Sequence, residues 1–269
     1  MPTDRPTVTF LSDYGLHDEF VGVCHAVIAR IAPEARVIDL THGIPSFDVR
    51  LGAITLQRAL PYAEPGVHLA VIDPEVGGRR RPIAIRVAED DRLLVGPDNG
   101  LLWLAAQRFG GIVEAVDLTQ SAYRLEPVSA TFHGRDIFAP IAARLAAGLE
   151  LHDVGEPLDP EDVQPQPMPL AEVEADEVVA HAISFDHFGN VMLDLEHEEL
   201  TMGVGLRLGE AVEVNGVRGV YATTFADVDP GTLIVYQDAN RAMAVAINRE
   251  SARAALGLDV DDPVRIRRP

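Results

Sequence analysis

Three short clusters carry the side chains with the most chemical reach. Asp73-Pro74-Glu75-Val76-Gly77-Gly78-Arg79-Arg80-Arg81 sets a carboxylate at the end of an apolar run, then glycines, then an arginine run. The glycines allow the chain to turn and bring a guanidinium back to the carboxylate, where the opposite charge keeps Asp73 ionised. The same letters also describe a solvated basic loop. Thr131-Phe132-His133-Gly134-Arg135-Asp136 offers His133 as a base, a ligand or a packed histidine, with Asp136 placed as the N-cap of a following helix. Ser12-Asp13-Tyr14-Gly15, followed by Asp18, supplies a carboxylate at a turn; Asp13 there can accept from both hydroxyls of a ribose, or serve only the turn.

A fourth cluster, Phe185-Asp186-His187-Phe188-Gly189-Asn190, holds a carboxylate, an aromatic ring and an amide within a few residues. Asp186 can hold an ammonium, Phe188 can stack on a base and Asn190 can read a purine edge; a polar hairpin turn is the plainer alternative. Asn99, in Gly96-Pro97-Asp98-Asn99-Gly100, reads first as turn chemistry and second as a substrate contact. His42, alone in its own turn, reads as a packed core histidine.

Composition removes several chemistries. All 22 basic residues are arginine, so a lysine-bearing phosphate loop, a pyridoxal Schiff base and a lysine aldolase are excluded. The one cysteine, Cys24, sits in an apolar helical stretch and reads as a small buried hydrophobe. A formal charge of −20, from 42 acidic and 22 basic residues, argues against a nucleic-acid partner. No apolar run is long enough for a bilayer span, and the N-terminus lacks a signal-peptide pattern, so a cytoplasmic protein without membrane partners is expected.

The elements that must position these groups follow from periodicity. Over residues 1–155, β-prone runs (7–11, 37–40, 67–72, 83–87, 93–95) alternate with helical spacing (18–31 capped by Asp18, 48–60, 101–109, 136–147), which predicts an α/β layered domain with a largely parallel sheet. Gly-x-Gly-x-x-Gly does not follow the first strand. Residues 156–176 include five prolines between Glu156 and Pro169 and read as an extended linker. Residues 177–269 hold short alternating runs separated by turns such as Asn215-Gly216, which predicts a smaller all-β, barrel-like domain.

Taken in their order along the chain, the clusters resemble the S-adenosyl-L-methionine (SAM) hydroxide adenosyltransferases, the adenosine-forming SAM hydrolases related to fluorinases and chlorinases. The resemblance spans essentially the whole chain and is carried most specifically by Asp73-Pro74 with Gly77 and Arg80-Arg81, by Gly96 to Gly100, and by Thr131 to Asp136 before Phe138-Ala139-Pro140. It implies a homotrimer with sites at subunit interfaces, shared between the α/β domain of one subunit and the β domain of its neighbour. It implies a catalytic set of Asp73, Arg80 and His133, with Asp13 on the ribose hydroxyls, Asp186 on the methionine ammonium, and Phe188, Asn190 and Phe225 around the adenine. Arg241 keeps the cation for the methionine carboxylate, while Asn240 stands where relatives have a hydroxyl. Glu75 and Glu250 occupy positions that are usually glycine in the family.

Halogenating relatives carry Tyr at the position of Asp73, and fluorinases Thr at that of Val76; both lack the histidine at His133. A halide needs a dehydrated pocket with neutral donors, whereas water needs acceptors. The implied reaction is therefore attack of water on the ribose 5′ carbon, giving adenosine and L-methionine, with no metal or other cofactor. A SAM-dependent halogenase, a metal-dependent phosphoesterase with Asp13, Asp73 and His133 as ligands, and a non-catalytic SAM or adenosine sensor are the alternatives.

Overall fold

The computed structural model describes residues 5–174 and 176–269. Met1–Asp4 of the expected first domain and Ala175 of the expected linker lie outside the described residues. The chain divides into two compact units at Gln166/Pro167.

The first unit is built on a seven-stranded sheet. Its elements are β1 (Thr7–Ser12), α1 (Phe20–Ile31), β2 (Arg36–Thr41), α2 (Val49–Ala59), β3 (Val67–Val71), β4 (Pro82–Val87), β5 (Leu93–Pro97), α3 (Trp103–Arg108), β6 (Ile112–Asp117), α4 (Ala139–Ala146) and β7 (Glu156–Leu158). The strand order is β2-β1-β3-β5-β4-β6-β7. Pairing is parallel from β2 to β5 and antiparallel from β5 to β7, so only β4 and β7 run against the common direction. β1 is buried along its whole length, as its unbroken β-prone run requires of a central parallel strand.

Alternation along the strands feeds two cores. Val8, Phe10, Leu69 and Val71 meet α1 and α4 on one face; Leu11, Ala70 and Ile72 meet α2 and α3 on the other. Cys24 is fully buried in the first, and burial pushes its thiol up to about 12.

Local chemistry sets some element ends and not others. Asp48 caps α2, accepting from Leu51 N at 2.9 Å. Asp18 does not cap α1: the helix starts at Phe20 with Glu19 in the cap position and no side-chain cap. Phe20 packs there against Tyr14 and Phe132, with ring centroids 5.8 and 5.2 Å away, so aromatic packing fixes this end. Asp136 is likewise not an N-cap. It lies buried inside a wide helical turn, Gly134–Phe138, that runs into α4. Pro140 has no N–H to offer the Asp136 carbonyl, which instead accepts from Leu125 N at 2.8 Å.

The proline-rich stretch is also more ordered than an extended linker. Glu156-Pro157-Leu158 pairs with β6 as an edge strand, a position in a sheet where a residue without a donor is tolerated.

The second unit is a closed barrel. β9 (Glu177–Phe185), β10 (Val191–Glu196), β11 (Ala211–Val214), β12 (Val217–Tyr221), β13 (Leu233–Gln237), β14 (Ala242–Ile247) and β15 (Pro263–Arg267) close in the order β10-β14-β13-β12-β11-β15-β9-β10, with the short β8 (Glu172–Val173) beside β9 and helix α5 (Ala252–Leu256) before β15. Asn215 and Gly216, at φ 47° and 83°, make the tight turn joining β11 to β12.

Candidate active site

Asp73, Arg80 and His133 meet just beyond the end of β3. Two successive turns fold the intervening loop back, with Val76 N on the Asp73 carbonyl (3.3 Å) and Gly78 N on that of Glu75 (2.8 Å). Arg80 then donates Nε to Asp73 Oδ1 at 2.8 Å and Nη2 to the other carboxylate oxygen. The same Nη2 lies 2.8 Å from His133 Nδ1. The Arg80 and Asp73 side chains are 3% and 6% exposed, and the guanidinium stacks 5.3 Å from the Phe138 ring. Glu75 points to solvent.

Two glycines allow this approach. Gly77 has φ +75°, and a Cβ there would lie 2.3 Å from the Ala130 carbonyl, so the Asp73 loop sits directly on the loop leading to His133. At Gly134 a Cβ would lie 2.1 Å from the Tyr14 hydroxyl.

The hydrogen bonds dictate protonation states. A guanidinium only donates, so His133 Nδ1 accepts and the ring's single proton sits on Nε2. Burial and the Arg80 charge together hold the imidazole below its ordinary value, favouring this neutral form. The trio thus presents an acceptor, the Asp73 carboxylate, and a donor, His133 Nε2–H. That pair can orient a water and take its proton.

Asp13 stands at the end of neighbouring β1. Its Oδ2 accepts from Phe47 N at 2.8 Å. Burial, with the Asp73 charge adding to it, pushes the Asp13 carboxyl up against the pull of that backbone bond. Phe47 holds a left-handed backbone (φ 71°) with its side chain exposed. Nothing in the spacing singles out Phe47; a non-glycine residue at positive φ is visible only in the fold. Asn99 ties the end of β5 to the residue before Asp73, donating to the Ile72 carbonyl at 2.9 Å and accepting from Leu101 N at 3.2 Å. Among the described residues, Asp13, Asp73 and His133 do not converge as a ligand set, and the Arg80 cation occupies the space between the latter two.

In the barrel, Asp186 organises its own turn. Its carboxylate accepts from Phe188 N (2.9 Å), Asn190 N (2.9 Å) and Asn190 Nδ2 (2.7 Å). Phe188 is left 75% exposed at the tip, while Asn190 is buried. Phe225 packs on Tyr236 with centroids 5.3 Å apart. Burial and the charges of Asp186 and Asp238 push the Tyr236 hydroxyl up to about 12; residue spacing does not reveal this ring behind Phe225. Asn240 and Arg241 lie exposed in the β13–β14 turn, where Asp238 accepts from Asn240 N at 2.7 Å and Arg241 has φ 67°.

Comparison with known proteins gives this arrangement a context. Residues 8–155 match the N-terminal domain of the SAM hydroxide adenosyltransferases, and residues 180–265 match their C-terminal domain. The chain belongs to the SAM hydroxide adenosyltransferase family. An (R)-S-adenosyl-L-methionine hydrolase from Salinispora tropica is 47% identical over 97% of both chains. A fluorinase from Nocardia brasiliensis is further off, 26% identical over 98% of this chain and 97% of its own. The crystal structure of an uncharacterized conserved protein from Thermotoga maritima superposes with a TM-score of 0.90 at 34% identity, covering 97% of this chain and all of that one. In this adenosyltransferase, Asp73, Arg80 and His133 all fall within the N-terminal domain match.

Proposed function

We propose that this adenosyltransferase hydrolyses SAM to adenosine and L-methionine. The observation that carries the reading is Arg80 bridging Asp73 and His133, which leaves one acceptor and one donor for a water. The sulfonium departs as a neutral thioether, so the leaving group needs no proton. The water oxygen bonds to the 5′ carbon as the C5′–S bond breaks, and the electron pair of that bond goes to sulfur. The proton lost by the water passes to Asp73, while His133 Nε2–H holds a lone pair of the water and fixes its direction. Arg80 keeps both groups in place. Positioned proton transfer of this kind contributes about 10²–10⁴-fold, and alignment adds to it. An anionic Asp73 at the reacting carbon opposes a halide nucleophile, which separates this reading from that of the fluorinases.

On the same reading Asp13 grips the ribose hydroxyls and Asn99 supports the substrate side of the Asp73 loop. Asp186 meets the methionine ammonium, Phe188, Asn190 and Phe225 surround the adenine, and Arg241 with Asn240 takes the methionine carboxylate. These barrel residues serve the site of a neighbouring copy in a homotrimer. The chemical step needs no metal, because a guanidinium already supplies the fixed positive charge. A cytoplasmic setting fits the single buried cysteine.

Chromatography of the purified protein incubated with SAM, with and without chloride or fluoride, tests the reading. Adenosine and methionine in equal amounts, indifferent to halide, are expected. A halogenated deoxyadenosine peak, or unchanged SAM with binding still measurable, overturns it in favour of a halogenase or a sensor.

A further inference from the structure

A second cluster of chemically capable side chains lies at the open edge of the sheet, outside the Asp73–Arg80–His133 group. His25 on α1, Asp39 on the edge strand β2 and His42 just after it bring His25 Nε2, Asp39 Oδ1 and a nitrogen of His42 within 4.8 Å of one another. Asp39 Oδ1 lies 2.8 Å from His25 Nε2 and 3.1 Å from His42 Nε2. The His42 side chain is 2% exposed, yet its Nε2 makes no hydrogen bond of acceptable geometry, one of few such orphaned buried atoms among the described residues. A buried polar nitrogen left in this way calls for a partner.

The surroundings are those of a metal ligand. His42 Nδ1 is 2.7 Å from Ser12 Oγ. With its proton donated there, Nε2 turns a lone pair into the cluster, the outer-shell arrangement that fixes ligating imidazoles. The Phe10 ring walls the site, its centroid 4.7 Å from that of His42 and 6.1 Å from that of His25. His25 and Asp39 are 35% and 41% exposed, which leaves an open side for a water in a fourth position.

We propose that His25, Asp39 and His42 bind one divalent first-row transition ion of the zinc class. Two imidazoles and one carboxylate are a borderline donor set, suited to zinc, cobalt or nickel rather than to magnesium or calcium. Ligands about 2.0–2.1 Å from a tetrahedral ion stand roughly 3.3 Å apart, so the two spacings from Asp39 need to open by only a few tenths of an ångström. The ion replaces the proton that His25 shares with Asp39. It clamps α1 to the sheet edge and, through His42 and Ser12, to the turn that carries Asp13; Ser12 Oγ also accepts from Tyr14 N at 3.2 Å.

The test uses the full-length protein stripped with a chelator and desalted, with no SAM present, so that its result is independent of the hydrolase reading. Titration with Co(II), followed by ligand-field absorption, and with Zn(II), followed by calorimetry and thermal melting, is expected to give one equivalent bound and a higher Tm. His25→Ala and Asp39→Asn alter partly exposed side chains and are checked for folding by circular dichroism. Each is expected to weaken binding at least about tenfold and to abolish the Tm rise. Binding well below one equivalent overturns the proposal. So does equal affinity in wild type and both variants, which would place the ion elsewhere on this acidic surface.

Discussion

Nη2 of Arg80 lies 2.8 Å from Nδ1 of His133, and because a guanidinium has no acceptor the imidazole must receive that bond. Protonating Nδ1 would set two donors head to head and break the bridge to Asp73. Burial and Arg80 hold His133 below its ordinary value near 6.5, so the working neutral form prevails at neutral pH and is lost as pH falls through that lowered value. The expected kcat profile is flat around pH 7 with a loss on the acid side. In His133→Gln the amide oxygen can still accept from Arg80 and the amide nitrogen can still donate, but neither titrates. That variant should keep part of the activity and lose the histidine limb. An acid limb identical in wild type and His133→Gln would assign it to another group.

Asp73 carries the proton in this scheme, and charge rather than shape is what it contributes to the reaction. Asp73→Asn preserves the outline of the side chain but not its basicity. Both Asp73→Asn and Asp73→Ala should therefore lower kcat by about 10²–10⁴-fold, with the dissociation constant for SAM changed only a few-fold. Pre-steady-state turnover combined with equilibrium binding separates the two quantities. Equal losses in binding and turnover would make Asp73 a structural residue instead.

Much of this arrangement was legible in the residues, for reasons that differ from place to place. The Asp73–Arg80 return needed only a strand end, glycines and a guanidinium, and the Asn215-Gly216 turn announced its left-handed pair. β12 is hard to read because Val217-Arg218-Gly219-Val220-Tyr221 lacks clean alternation; at Gly219 a Cβ would lie 2.4 Å from the Leu233 carbonyl of β13. Asp18 and Asp136 look like caps, but ring packing and the missing N–H of Pro140 decide those helix starts. The strand at 156–158 hid behind its proline. The meeting of His25, Asp39 and His42 depends on a helix, an edge strand and a turn converging, and no local spacing encodes that.

The contact between Tyr14 and Gly134 gives a test of how His133 is positioned. A methyl at Gly134 would lie 2.1 Å from the Tyr14 hydroxyl but 3.1 and 3.3 Å from the nearest ring carbons. Gly134→Ala should cost about 1–3 kcal/mol through overpacking and lower kcat by displacing His133. Tyr14→Phe removes the clashing oxygen, so the double variant should recover part of both. A double-mutant cycle in denaturation and in kcat measures the coupling. Strict additivity would mean that the two sites do not press on one another.

His68 offers the clearest pH signature in stability. It is fully buried on β3, with Nδ1 2.9 Å from Thr9 Oγ1 and Nε2 3.2 Å from Arg92 Nη1. Burial, reinforced by the Arg92 charge, pushes it down to about 3. Above about pH 6.5 the ring is neutral in both folded and unfolded chains, so it adds no pH dependence there. As pH falls below that value the unfolded chain gains a proton that the folded chain refuses, and stability declines until pH reaches the folded value. The total is on the order of 5 kcal/mol. His68→Gln should be less stable than wild type at pH 7, because it disturbs the bonds to Thr9 and Arg92. Its stability should nevertheless fall more gently between pH 6.5 and 4, by up to about 1.4 kcal/mol per pH unit. Urea denaturation of both proteins at matched pH values reads this difference directly. Parallel curves would show that His68 takes up its proton as readily in the folded protein as in the unfolded chain.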